Sequence, residues 1–484
     1  MQEPARIAID LGAESCRVSL LRWIGGEPQI AVVHRIPNGP VHQGGSLHWS
    51  LTGILAGLEE GLRKAAAAAP EGIASIGADS WSVDYVRLGP GGKMLREPFC
   101  YRDQRTVATR EAADRIISSL DIYRRTGAYP LNLNTVYQLM ADPAAGPEGK
   151  SDKIDARAPW VMMPEFVLYW LSGKRAAEYT NASHTGLLSL QTGTWDADLF
   201  AMLGLKVEAA PPLIATGTVL GPIQGPLKDL DAFRNTLIIA PATHDTASAI
   251  AGIPGDLSAA AYISSGTWSL LGAVIQASVT TRPAFDAGYT NIGAAAGGLL
   301  FHSLINSMWV LKQCMDAWEA TGRAWKIEDL VQKAAECNSD AATGVLDMDA
   351  PPLMLDTDMP QRINGELKRL GFDEIPDVPG NEPVFARTIF ESLARRYASA
   401  TANLEKLLGR KLERIHMIGG ATRNKLLVQL TEQYTGLKVE IGETESSTVG
   451  NLAAQLAASE AGGGAVTAAA IRKWAAILCR KQNC

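Results

Sequence analysis

Apolar and polar positions along this chain follow two periods in turn. Residues 5–11 (ARIAIDL) form a short apolar run that ends at Asp10-Leu11-Gly12. A second run covers 17–23, and Gly25-Gly26 turn the chain into 29–36, which predicts a β-meander. Over 51–69 the period lengthens. Leu51, Ile54, Leu55, Leu58 and Leu62 recur at helical spacing until Pro70 stops the pattern. An apolar strand over 73–78 leads to Asp79-Ser80-Trp81 and a hairpin around Gly89-Pro90-Gly91-Gly92. A polar stretch rich in Ala, Gly and Pro, 141–155, reads as a surface loop. An apolar helix over 160–171, a strand over 236–240 and a helix running to Ala251 complete the first half.

After Gly252-Ile253-Pro254-Gly255 the outline recurs, with a strand at 260–264, a turn at Ser265-Gly266-Thr267 and a strand at 268–275. The second half continues with a long helix, 385–408, and a strand, 414–418, that runs into Gly419-Gly420. A helix over 424–434, a strand over 437–441 and a helix over 451–459 follow. The terminal helix has a basic end, Arg480-Lys481, which suits a helix C-terminus. Strands alternating with helices predict an α/β protein. No fixed period repeats, which excludes a solenoid, so the pattern predicts two related domains, 1–252 and 253–484.

The 484 residues are 46% apolar and 20% charged, enough for a sizeable core and too apolar for global disorder. With 45 Lys and Arg against 51 Asp and Glu, the net charge of −6 argues against nucleic-acid or anionic-membrane partners. It leaves room for a small anion held by backbone N–H groups. Six cysteines without a C-x-x-C pair read as reduced thiols. No secretory leader and no apolar run of membrane-spanning length stand in the sequence, so a soluble cytoplasmic protein is expected.

Several motifs are missing: the P-loop, G-x-G-x-x-G, G-x-S-x-G and H-E-x-x-H. What remains is a set of polar residues at strand ends. Asp10 closes the first strand beside Gly12, which lets backbone approach a ligand. Ser265-Gly266-Thr267 takes the corresponding place in the second half, where N–H groups and a hydroxyl can face phosphate oxygens. His244-Asp245 stands where a strand gives way to a helix; an Asp there serves either as general base or as N-cap. Gly419-Gly420 opens a helix whose N-terminus favours anions, or simply permits close packing. Asp79-Ser80-Trp81-Ser82-Val83-Asp84 and Tyr101-Arg102-Asp103 combine aromatic surface with carboxylates, as sugar sites do.

In this order the segments resemble the FGGY carbohydrate kinases over about residues 5–460, most discriminatingly in D-S-W-x-V-D and A-T-H-D-T-A-S. The resemblance implies two ribonuclease H-like domains of the actin/hexokinase type around an interdomain cleft. It implies an ATP-dependent ketose kinase with Mg²⁺, most similar to members that phosphorylate L-rhamnulose at C1. It assigns Asp245 as catalytic base, Asp10 as organiser of the metal, and Trp81, Ser82, Asp84, Arg102, His244, Thr246 and Asn306 as sugar-side residues. Ala13, Glu14, Ser15, Arg17, Gly266, Thr267, Lys312, Gly419, Gly420 and Asn424 fall on the ATP side. The chain departs from the pattern at Ala13-Glu14-Ser15-Cys16-Arg17, where Glu14 is expected to point outward. It also departs at Ser82, which stands in place of Gly, and in a shortened segment around Asn306. A kinase for L-fuculose or xylulose, or a sugar-binding regulator with impaired ATP use, are the alternatives. A homo-oligomer is compatible with the sequence.

Overall fold

Two six-stranded sheets of the same plan dominate the structure, a computed structural model that describes residues 3–142, 155–337 and 344–480. The expected surface loop at 141–155 and Lys481 lie almost wholly outside these residues. In the first sheet, β1 (Ala5–Leu11), β2 (Ser15–Ile24) and β3 (Glu27–Pro37) form the meander. β4 (Ile73–Ser80) lies parallel to β1, and β6 (Leu237–Ile239) is parallel to β4, with β5 (Val219–Pro222) antiparallel at the edge. The second sheet repeats the plan. β7 (Ala260–Ser265), β8 (Trp268–Ile275) and β10 (Leu299–Asn306) run antiparallel, with β9 (Tyr289–Gly293) at one edge. β11 (Arg414–Ile418) and β12 (Lys438–Ile441) extend the other side in parallel. Five strands of each sheet thus share one order and set of directions, and the architecture is α/β.

Every residue of β1 is buried, because helices cover both faces of the sheet. Side chains alternate along a strand. Ile7 and Ile9 pack with Leu51, Leu58 and Leu62 of α1 (Leu51–Ala68). Ala8, on the other face, packs with Val449, Leu452 and Ala453 of α8 (Ser446–Ala461). Asp10 shares the face of Ala8, so the same alternation that buries the core aims a carboxylate at the start of α8. In the second sheet Ala261 and Ile263 pack against α6 (Glu382–Leu408). Ala260 and Tyr262 face α4 (Asp245–Ala251). Helices α4 and α8 thus lie between the sheets.

Two expected elements differ. The helix over 160–171 is a strand at Trp160–Met162, paired with Tyr85–Arg87, followed by α2 (Met163–Ser172). Pro164 is the reason: without an N–H it fits the first turn of a helix, not the middle. Helix α8 starts at Ser446, not 451. Its first turn is held by tertiary bonds: Ser446 Oγ donates to the Ala249 carbonyl (2.7 Å) and Ser447 Oγ to Asp10 (2.8 Å). The remaining helices used below are α3 (Tyr179–Ala182), α5 (Met308–Ala320), α7 (Lys425–Thr435) and α9 (Ala468–Leu478).

Candidate active site

Strand register builds the first part of the site. Asp10 on β1 is paired with Arg17 on β2 and with Asp79 on β4, so three polar side chains line up across adjacent strands. Arg17 Nη2 bonds Asp10 Oδ2 (2.9 Å), and its Nη1 bonds Glu445 just before α8. Asp79 is fully buried and accepts from Asn451 Nδ2 (2.6 Å), while its Oδ1 has no partner. Burial, and next the charge of Asp10, push its pKa well above the ordinary carboxylate range. In the loop after β1, Glu14 is exposed and close enough to Arg102 to interact with its charge, while Cys16 is buried.

Asp245, the first residue of α4, comes close to this row. The Ser80 amide donates to the Thr243 carbonyl (2.9 Å), and Ser80 bridges His244, so the end of β4 holds the turn that opens α4. The Thr246 amide and hydroxyl donate to Asp245 Oδ1 (2.5 and 3.2 Å). The Asp245 side chain still keeps 38% of its surface open. Desolvation by the surrounding protein, then the charge of Asp10, push its pKa up to about 7. His244 Nε2 lies 3.2 Å from Asp245 Oδ1, and burial pushes the His244 pKa down to about 3.

Beneath this turn lie two carboxylates that sequence reasoning missed. Glu178 accepts from the Thr180 and Thr243 amides (both 3.0 Å) and from the Thr216 hydroxyl (2.6 Å). Glu165 accepts from the Thr243 hydroxyl (2.6 Å) and the Glu178 amide (3.1 Å). Burial raises both, Glu165 to about 7. The one available signal was an acid within the apolar helical run PEFVLYWL.

Beside Trp81, Asp84 is buried and fully committed. It accepts from the Trp49 and Trp81 indoles (2.6 and 3.0 Å), the Tyr101 amide (3.2 Å) and Gln138 Nε2 (2.9 Å). It acts by holding Trp81, whose ring packs on Trp49 at 4.5 Å. Val83, a β-branched residue, sits at φ +74, a strained conformation. Its carbonyl is pinned by the Thr135 hydroxyl (2.7 Å), and the bend leaves Ser82 partly open while Asp84 turns inward. Arg102 is exposed beside the Tyr101 ring. Asn306, paired with Trp268 at the end of β10, is buried with its Nδ2 donating to the Leu353 carbonyl (2.9 Å), and its Oδ1 has no partner.

The second half supplies the turn Ser265–Gly266–Thr267. A Cβ on Gly266 would meet no atom closer than 4.0 Å, so the backbone is open to a ligand. Gly419 has φ +88, and a Cβ there would meet the Ser265 carbonyl at 2.6 Å, so glycine brings the ends of β11 and β7 together. Gly420 is open. Asn424 caps α7 through the Leu427 amide (3.0 Å), leaving a buried Nδ2 without a partner. A cavity of 320 Å³ beside Thr267 is lined by Met308, Lys312, Met315, Asp316 and Trp325. Lys312 Nζ bonds Asp316 (2.7 Å) at its rim.

Comparison with known proteins decides what this arrangement belongs to. The N-terminal domain of the FGGY family of carbohydrate kinases matches residues 5–252, and the C-terminal domain of that family matches 261–459. The chain belongs to the FGGY family of carbohydrate kinases. This kinase is 34% identical over 448 residues to a rhamnulokinase of Bacteroides thetaiotaomicron, covering 93% of this chain and 89% of the relative. It is 34% identical over 454 residues to a rhamnulokinase of Yersinia pestis, with the same coverage. Its fold matches a xylulose kinase of Lactobacillus acidophilus with TM-score 0.75 at 19% identity, over 99% of this chain and 98% of that one. The kinase therefore has the two-domain actin/hexokinase-like fold. As a member of a carbohydrate kinase family it phosphorylates a sugar. Among the described residues no helix is long and apolar enough to cross a membrane.

Proposed function

We propose that this kinase transfers the γ-phosphoryl group of ATP to the C1 hydroxyl of L-rhamnulose, with Asp245 as general base. The observation that carries the reading is the Asp245 carboxylate: open to solvent at the N-terminus of α4, held by Thr246, with a pKa pushed up to about 7. A base poised near the working pH is what proton removal from an alcohol requires. Asp245 would accept the hydroxyl proton as the C1 oxygen forms its bond to phosphorus and the bond to ADP breaks. The 34% identity to rhamnulokinases over 93% of the chain supports L-rhamnulose over L-fuculose or xylulose. Trp81 and Ser82, with Arg102, His244 and Thr246 near the turn, would contact the sugar.

ATP would lie on the second half. The open Gly266 and Gly420 backbones, the Thr267 hydroxyl, the unpartnered Asn424 Nδ2 and the adjoining 320 Å³ cavity fit a nucleotide. Among the described residues no cluster of three His, Cys, Asp or Glu side chains can by itself hold a metal. That donor set fits Mg²⁺ bound chiefly by phosphate oxygens and water, with Asp10 orienting a ligand water. The ion would neutralise phosphate charge as the bond breaks.

The test is ADP release with Mg·ATP across a panel of ketoses. Fastest turnover on L-rhamnulose supports the reading. Tight sugar binding without ADP release would replace it with the regulator. Asp245→Asn should lower kcat by about 10²- to 10⁴-fold with little change in sugar affinity, and near-native turnover would remove Asp245 from the role of base.

A further inference from the structure

Behind Asp245 stands a second histidine that the chemistry above leaves unused. His184 belongs to the single 3-10 turn Ser183–Thr185 that follows α3. The turn is anchored on two sides. Asn134 Nδ2 donates to the His184 carbonyl (3.1 Å), and the Gly293 amide at the end of β9 donates to Ser183 Oγ (2.8 Å). Its ring packs on that of His244 with centroids 4.0 Å apart, and His184 Nε2 is 3.1 Å from His244 Nδ1. The opposite nitrogen of His244, Nε2, is the one 3.2 Å from Asp245 Oδ1.

A neutral imidazole carries one N–H and one bare nitrogen. Burial keeps both rings neutral, with both pKa values pushed down. The bond between the rings therefore has two directions. If His244 donates, its bare Nε2 faces a carboxylate oxygen, and two lone pairs oppose each other. If His184 donates, the proton of His244 sits on Nε2 and faces the carboxylate. While Asp245 is ionised, as it must be to act as a base, only the second direction is electrostatically favourable. Thr246 donates to the same Asp245 oxygen, and His302 from β10, whose charge is felt by both rings, meets the Tyr262 hydroxyl through its Nδ1 at 2.7 Å.

We infer that His184 is a positioning residue for phosphoryl transfer: by donating to His244 Nδ1 it fixes His244 as the Nε2–H tautomer, which holds the Asp245 carboxylate in place for the acceptor hydroxyl. The inference rests on Asp245 being the base. His184 itself need not touch the sugar.

Two substitutions separate positioning from packing. His184→Phe keeps a ring and loses the donor, whereas His184→Gln keeps an N–H. His184→Phe should lower kcat by about tenfold, the loss of one hydrogen bond's worth of alignment, with the KM for sugar within about twofold. His184→Gln should recover most of that loss. The ¹⁵N spectrum of the unaltered enzyme should show His244 protonated at Nε2 and bare at Nδ1. An Nδ1–H tautomer of His244 overturns the proposal, and it does so even if His184→Phe fails to fold. Native kcat in His184→Phe, or a loss confined to KM, also overturns it. If Asp245→Asn retains turnover, the base reading fails instead. If Asp245→Asn is inactive while His184→Phe is native, only the role of His184 falls.

Discussion

Helices α4 and α8 cross on two glycines, which makes Gly450→Ala a direct test of how the site is assembled. A Cβ at Gly450 would lie 1.8 Å from the Ser248 carbonyl oxygen and 2.9 Å from the Gly252 amide. The contact is reciprocal, since a Cβ at Gly252 would lie 2.4 Å from the Ser446 carbonyl oxygen. Carbon and carbonyl oxygen rest at about 3.3 Å or more, so the helices would have to separate by roughly 1.5 Å. Overpacking of this kind costs about 1–3 kcal/mol, and the better helix propensity of Ala returns at most about 1 kcal/mol. The net loss is about 1–2 kcal/mol, which lowers the melting temperature of a 484-residue chain by roughly 1–2 °C. Function should suffer more. Helix α4 carries Asp245 at its start, and α8 carries Ser447, which holds Asp10. Misplacing reacting groups by about 1 Å costs on the order of 10²-fold in rate. Thermal melts and sugar-dependent ADP release measure the two effects. Gly365→Ala is the control, because that helical glycine has open space around its Cβ. A Gly450→Ala enzyme with native melting and native kcat would refute the reasoning.

Two other substitutions follow from the geometry. Burial pushes the Asp84 pKa up to about 6, against an ordinary 3.8, so the folded state holds its proton more tightly than the unfolded chain. The stability it contributes is full below the ordinary value and is lost as pH rises through 6, by about 3 kcal/mol. Asp84→Asn cannot titrate, so urea unfolding should show the difference from the native chain moving in the variant's favour by that amount between pH 4 and 7.5; a constant difference contradicts this. Glu14 is exposed, so Glu14→Ser should leave the KM for ATP within about twofold, and a large fall in KM would mean that its carboxylate faces the nucleotide.

The strands were legible because both sheets are covered on two faces and read as short apolar runs; 268–275 and 414–418 are found with the expected bounds. Helix starts were less legible. The first turn of α8 contains Ser446, Ser447 and Thr448, whose bonds run to Ala249 and Asp10 far along the chain, and no local pattern announces such partners. The same reason hid Glu178 and His184. Their neighbours Thr216, Thr243 and His244 lie tens of residues away in sequence. Asp84 was visible as a polar residue near aromatics, but not that its bonding capacity is spent on two indoles, an amide and Gln138. Val83 gave no warning, because a β-branched residue is among the least expected at positive φ.

The row of carboxylates shows how an acidic chain would suit the polyanionic nucleotide proposed above. The charge of Asp10 raises the proton affinity of Asp79 and of Asp245, and Asp10 and Asp79 are paired across adjacent strands, so the three carboxylates stand close together. Arg17 stands in that row, but it is already bonded to Asp10 and Glu445. A bare triphosphate brought to this face would meet negative charge. A triphosphate carrying a divalent cation would present positive charge to the same carboxylates, so the repulsion becomes attraction. Selection of the metal complex over free nucleotide would then reside in Asp10 and its neighbours, and no basic stripe is needed. The placement of α8 makes this a property of the assembled molecule. Ser447 holds Asp10 and Asn451 holds Asp79, so the second half of the chain fixes the carboxylates that the first half supplies.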